Sequence, residues 1–103
     1  MTYDQFYLSY TGVALPLRMV SPIDQAATEN RNTWFGVCVD DAGRITLIHK
    51  RVYGELELSH RYEYDEAGRL SLAEIVNVDN EGRRLSFDTA GRVVAEEEFE
   101  VEA

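Results

Sequence analysis

This 103-residue chain has few residues that cross-link, few that interrupt a strand, and few bases to balance its acids. Cys38 is its one cysteine, so no internal disulfide can form and a thiolate metal site has no second ligand. The expected setting is therefore reducing and cytoplasmic. Proline occurs twice, at Pro16 and Pro22, so nothing after residue 22 is barred from a β-ladder on that account. Apolar runs such as Val13-Ala14-Leu15 stop at three residues, far short of a bilayer span. The opening "MTYDQFYLSY" has no basic stretch followed by an apolar core, so no secretory leader is expected.

Bases are scarce as well. Lys50 is the one lysine beside nine arginines, and 19 acids against 10 bases leave a net charge of −9. Five of those acids, Glu96, Glu97, Glu98, Glu100 and Glu102, fall in the last eight residues with no base among them. Affinity for a phosphate backbone comes from Lys and Arg displacing counterions, so direct nucleic-acid binding is not expected. Anionic lipid is disfavoured for the same reason. A protein partner, basic in charge, is compatible.

Catalytic signatures are missing too. No G-x-S-x-G, H-E-x-x-H, P-loop or G-x-G-x-x-G is present. The two histidines, His49 and His60, lie either side of Gly54 and would supply two ligands where a catalytic zinc takes three. A two-residue turn at Gly54 would put both on one face and a three-residue turn would separate them; the sequence leaves this open. No catalytic residue, metal ligand or cofactor is assigned, which favours a non-enzymatic role.

What is present is a repeated pentapeptide. D-x-x-G-R occurs as "DDAGR" at Asp40, "DEAGR" at Asp65, "DNEGR" at Asp79 and "DTAGR" at Asp88. Asp suits the first position of a type I turn, and Gly suits the fourth, where φ turns positive. Together they make a hairpin connection with a G1 bulge. The intervals of 25, 14 and 9 residues are too irregular for a solenoid. Strand-like segments fill the spaces: 33–39, 44–53, 55–64, 69–78, 83–87 and 92–101. Their connections are too short for crossover helices, so neighbours are antiparallel. In 55–64, Leu56, Leu58, His60, Tyr62 and Tyr64 share one face. In 69–78, Leu70, Leu72, Val76 and Val78 share another, which Glu74 interrupts; a partner or a bulge must account for it. The glutamate-rich last strand suits an edge, where charge discourages pairing with other chains.

The front third reads differently. Residues 5–20 form two strands around Thr11-Gly12, and Pro16 puts the second at a sheet edge. Residues 22–29 are predicted to be a short helix, capped by Ser21, led by Pro22 and stopped near Asn30. "NRNTWF" then clusters Asn30, Arg31 and Asn32 ahead of Trp34, a group able to hold a carboxylate or a partner's backbone. The ordinary role of such Asn side chains is closing a helix end.

The expected fold is α+β: one domain over 1–103, an antiparallel meander of about seven or eight strands with one short helix packed on its concave face. A partly closed small β-barrel is the alternative. Two resemblances accompany this reading. "YEYDEAGRL" (62–70) resembles the YD repeats of bacterial RHS-type proteins, and "SFDTAGRV" (86–93) resembles them more loosely. That likeness implies shared hairpin chemistry and no activity. "YLSYTGVALPLRMVSPI" followed by "ENRNTWF" resembles the start of a small bacterial family of unknown function.

The leading functional expectation is an accessory or adaptor acting by protein–protein contact through Asn30, Arg31, Asn32, Trp34, His60, Arg61 and Tyr62. One alternative is an acidic inhibitor, anti-CRISPR-like or immunity-like, that mimics nucleic acid. The other is a small enzyme with a pocket between helix and sheet, using His60, Arg61 or Asn32. The oligomeric state is not encoded in any readable feature.

Overall fold

The computed structural model describes residues 2–102, which build one open eight-stranded antiparallel sheet. In chain order the strands are β1 (Gln5–Thr11), β2 (Arg18–Ile23), β3 (Thr33–Val39), β4 (Ile45–Val52), β5 (Glu55–Tyr64), β6 (Leu70–Val76), β7 (Glu81–Phe87) and β8 (Val93–Glu100). Their spatial order is β2-β1-β3-β4-β5-β6-β7-β8, a meander from β3 onward. Both β2 and β8 are edges, so the sheet is not a closed barrel. The edge position foreseen for the arm after Pro16 is that of β2.

Three of the four D-x-x-G-R quintets are the hairpin turns expected. In each, Gly N–H donates to the Asp carbonyl, at 2.9 Å for Gly43–Asp40 and 3.0 Å for both Gly68–Asp65 and Gly91–Asp88. One carboxylate oxygen of each Asp accepts two further N–H groups, from Ala42 and Arg44, Ala67 and Arg69, and Ala90 and Arg92. Gly43, Gly68 and Gly91 have φ of 81–82°, the left-handed conformation that glycine adopts without strain. The fourth copy, "DNEGR", is out of phase. That turn begins two residues earlier, at Asn77, whose side-chain oxygen accepts from Asp79 and Glu81. Asn80, at φ 60°, occupies the left-handed position. Gly82 is thereby placed inside β7, opposite Phe99. Asn does the work of both Asp and Gly here because its short amide bonds the local backbone and tolerates positive φ.

The front third departs from expectation. Ser21 and Pro22 belong to β2, and the helix is a 3₁₀ element over Gln25–Asn30 that buries none of its residues. Its cap is Asp24, which accepts from Ala27 N–H at 2.9 Å. The molecule is mostly β rather than α+β. This 3₁₀ element lies in the crossover that carries the chain from β2 past β1 to β3. The apolar face is instead capped by the β1–β2 connection, which delivers Leu15 and Leu17 onto Phe35, Val37, Ile48, Tyr62 and Ala73. A covering loop serves because the main apolar cluster is small enough for two leucines to complete it.

Two single-residue slips decide what faces that core. The β4–β5 turn is the two-residue Tyr53-Gly54, but the pairing shifts between Arg51↔Leu56 and Lys50↔Leu58. Leu56 is consequently 43% exposed, out of step with Leu58, His60 and Tyr62. Another slip between Glu63↔Leu72 and Tyr64↔Leu70 keeps Leu70 against the core while turning Leu72, Glu74 and Val76 outward. Ala73 is the fully buried residue of β6.

Candidate functional site

The two faces carry different chemistry. On the core face, Tyr62 Oη accepts Leu17 N–H at 3.2 Å and lies 2.7 Å from His60 Nδ1. Leu17 takes one of the hydroxyl's two lone pairs, and the burial of the His60 ring favours its neutral form. Burial lowers His60 to about 4 and raises Tyr62 to about 12. His60 is 5% exposed. This pair ties the capping loop to β5 from inside the core.

On the opposite face the β5–β8 half is an ionic ladder. The register sets Arg61, Glu74, Arg84 and Glu97 side by side on four strands. Glu74 accepts from both Arg61 and Arg84, the latter at 3.2 Å, and Arg84 donates to Glu97 at 2.7 Å. Burial works to raise the Glu74 carboxyl, but the two guanidinium groups outweigh it and hold it below its ordinary value. The interrupted apolar row is thus explained by both possibilities at once: Glu74 has partners, and a slip reassigns its strand's faces.

The β1–β4 half of the same face is aromatic. Tyr3 stands edge-on to Trp34 (5.8 Å), Phe6 (6.1 Å) and His49 (5.6 Å). Its ring lies over Gly36, where an added Cβ would come within 2.5 Å of it. Tyr3 Oη lies 2.8 Å from His49 Nδ1 and accepts from Arg51 Nε at 3.1 Å. Burial and the Arg51 charge both push His49 below its ordinary pKa. Arg51 also donates through Nη1 to the Gly54 carbonyl at 3.3 Å, so the aromatic group braces the β4–β5 turn.

That turn presents the most exposed aromatic residue of the chain. Tyr53 is 76% exposed at φ 51°, followed by Gly54 at φ 82°. Two consecutive positive φ values in a two-residue loop are the requirement of a type I′ turn, for which Asn-Gly is the favoured pair. A tyrosine there is strained. Its N–H donates to the Asn32 carbonyl at 2.7 Å, which brings the "NRN" loop beside the turn.

The seven residues expected to bind therefore divide four ways. Asn30, the last residue of the 3₁₀ element, and Arg31 and Asn32, in the loop that follows, are all exposed, with Asn32 next to Tyr53. Trp34 is half-buried in the aromatic group behind them. His60 and Tyr62 are interior to the core face, whereas Arg61 lies on the other side in the ladder. His49 and His60 also occupy opposite faces, because His49 pairs with Ser59 and His60 with Ile48. The turn has the two residues that would have aligned them; the neighbouring slip undoes it. Beside the 3₁₀ element, a cavity of about 450 Å³ is lined by β1, Pro22, Ile23, Asp24 and Gln25, and His60, Arg61 and Asn32 do not reach it. Among the described residues no group of three or more His, Cys, Asp or Glu is placed to hold a metal, and no helix is long and apolar enough to cross a membrane. Tyr53 went unremarked in the sequence, although a Tyr-Gly pair where Asn-Gly is preferred was a visible signal.

The model of a family of unknown function, DUF6156, matches residues 2–96, and the chain belongs to that family. No curated protein and no solved structure matches it.

Proposed function

We propose that this member of DUF6156 is a non-enzymatic adaptor that engages a protein partner through the sheet end formed by Arg31, Asn32 and Tyr53. The carrying observation is Tyr53: a large aromatic residue, 76% exposed, held in a left-handed turn position that disfavours it. Backbone strain of this kind persists where surrounding structure enforces it and function rewards it. Here the enforcement comes from the Asn32 carbonyl and from Arg51, itself bonded to Tyr3. The ring is thus presented in advance of binding, which lowers the ordering cost of association. Tyr and Arg are the residue types that dominate interface energetics, and asparagines supply the surrounding polar contacts.

The test is affinity capture from source-cell extract with wild-type protein and the Tyr53→Asn and Arg31→Ala variants, each shown to be folded. A stoichiometric partner should be held by the wild type and lost on Tyr53→Asn, with affinity falling by roughly 30-fold as for a truncated hot spot. A partner retained equally by both variants, or no stoichiometric partner at all, refutes the assignment.

A further inference from the structure

The two edges of the sheet are built differently. Edge strand β2 carries Pro22, which has no N–H to offer, and Ser21 at φ 60°, which breaks the extended course. Edge strand β8 runs for eight residues with neither proline nor positive φ. One edge is closed to strand addition; the other keeps its backbone groups free, and its glutamates discourage a strand of like charge without closing it to a basic one.

Which groups β8 offers follows from its pairing. Val101 N–H donates to the Asn80 carbonyl at 2.8 Å, in the same register that pairs Glu81 with Glu100. In an antiparallel ladder, inward and outward residues alternate. Phe99, Glu97 and Ala95 accordingly bond β7, while the N–H and C=O groups of Glu96, Glu98 and Glu100 point away from the sheet. The side chains of those same three residues share the core face with Arg83. Arg83 is ion-paired to Glu96 at 2.7 Å, and among the described residues Glu98 and Glu100 have no such pair. Beside them opens a cavity of about 500 Å³ whose walls include Ile75, Asn77, Glu81 and Arg83.

We propose that β8 accepts, by β-strand addition, an extended segment of another protein carrying Lys or Arg at every second position. Backbone bonds to Glu96, Glu98 and Glu100 would set the register. The alternate side chains of the incoming strand would then lie opposite these three carboxylates, with the cavity receiving one of them. Intervening side chains would lie on the face of Ala95, Glu97 and Phe99, where Glu97 is already paired with Arg84, so that uncharged residues suffice there. A second copy of β8 is a poor occupant, since pairing it with itself sets glutamate against glutamate. Charge complementarity therefore selects a basic strand and rejects self-association.

The proposal is independent of the Tyr53 surface and is tested separately, with synthetic eight-residue peptides and the full chain. One peptide alternates Lys and Val; a second has the same composition with its lysines in one block. Two more carry N-methyl groups, either on the residues whose amides would face β8 or on the intervening ones. Binding is followed by calorimetry and by amide shifts of Glu96, Glu98 and Glu100. The alternating peptide should bind tighter than the block peptide. Methylation of the edge-facing amides should weaken it about tenfold per lost bond, and methylation of the others should change little. Glu98→Lys with Glu100→Lys should reverse the preference toward an alternating Glu-Val peptide, while Tyr53→Asn leaves binding unchanged. No binding, equal binding of both isomers, insensitivity to the methyl position, or dimerisation of the wild type through β8 each overturns the proposal.

Discussion

Replacing Tyr53 with asparagine should make the protein more stable, against the usual effect of removing an aromatic side chain. The turn puts Tyr53 at φ 51°, where an ordinary L-residue is destabilised by about 1–2 kcal/mol and asparagine by much less. The opposing effect is lost burial. Because the residue is 76% exposed, only roughly 30 Å² of apolar surface is at stake, or about 0.7 kcal/mol at 25 cal/mol per Å². The backbone contribution is larger, so a net gain of about 0.5–1 kcal/mol is expected. For a domain of this size that raises the melting temperature by about 2–8 °C. Urea denaturation followed by tryptophan fluorescence should show a higher midpoint at unchanged slope. The same substitution should abolish partner capture, which separates binding from folding. A lower midpoint would mean that the tyrosine ring stabilises the turn, and the argument that strain is retained for function would be wrong.

Acid should destabilise the fold through His60. Its folded pKa of about 4 lies below the ordinary 6.5, so the unfolded chain binds the proton first; the stabilisation is complete above pH 6.5 and is lost as pH falls toward 4. The full effect is about 3 kcal/mol. His60→Gln should flatten stability between pH 6.5 and 5, and an unchanged slope in that window would remove the assignment. Glu74→Gln should cost about 1 kcal/mol, the scale of a networked surface ion pair. The wild type should lose a comparable amount in 1 M NaCl while the variant does not. Gly36→Ala should displace the Tyr3 ring, because the new methyl would meet ring atoms at 2.5 Å; loss of stability by about 1–3 kcal/mol and a shifted His49 ring resonance are expected. A variant with wild-type stability and an unmoved resonance would show that the ring does not sit tightly on that glycine.

Strand number, the antiparallel course from β3 onward and three of the hairpin turns were legible in the order of residues alone. The turns depend on bonds that close within five positions, such as the Asp65 carboxylate accepting from Ala67 and Arg69, and connections that short oblige neighbouring strands to run antiparallel. The Asn77 turn obeys the same chemistry in a different spelling, which is why the "DNEGR" copy pointed to the wrong place. Helix signals at Ser21 and Pro22 were outweighed by pairing with β1, since a ladder of bonds along an edge stabilises more than a short isolated helix can. Which side of the sheet each residue faces was decided by the tertiary structure. Slips near Leu56 and Leu70 flip the phase of everything beyond them, and alternation along one strand contains no record of a slip that arises from its neighbour. His49 was thereby parted from His60, Glu74 found two arginines, and Tyr53 came to stand beside Asn32. Local bonding chose the bends and strands; packing between distant segments chose the surfaces they present.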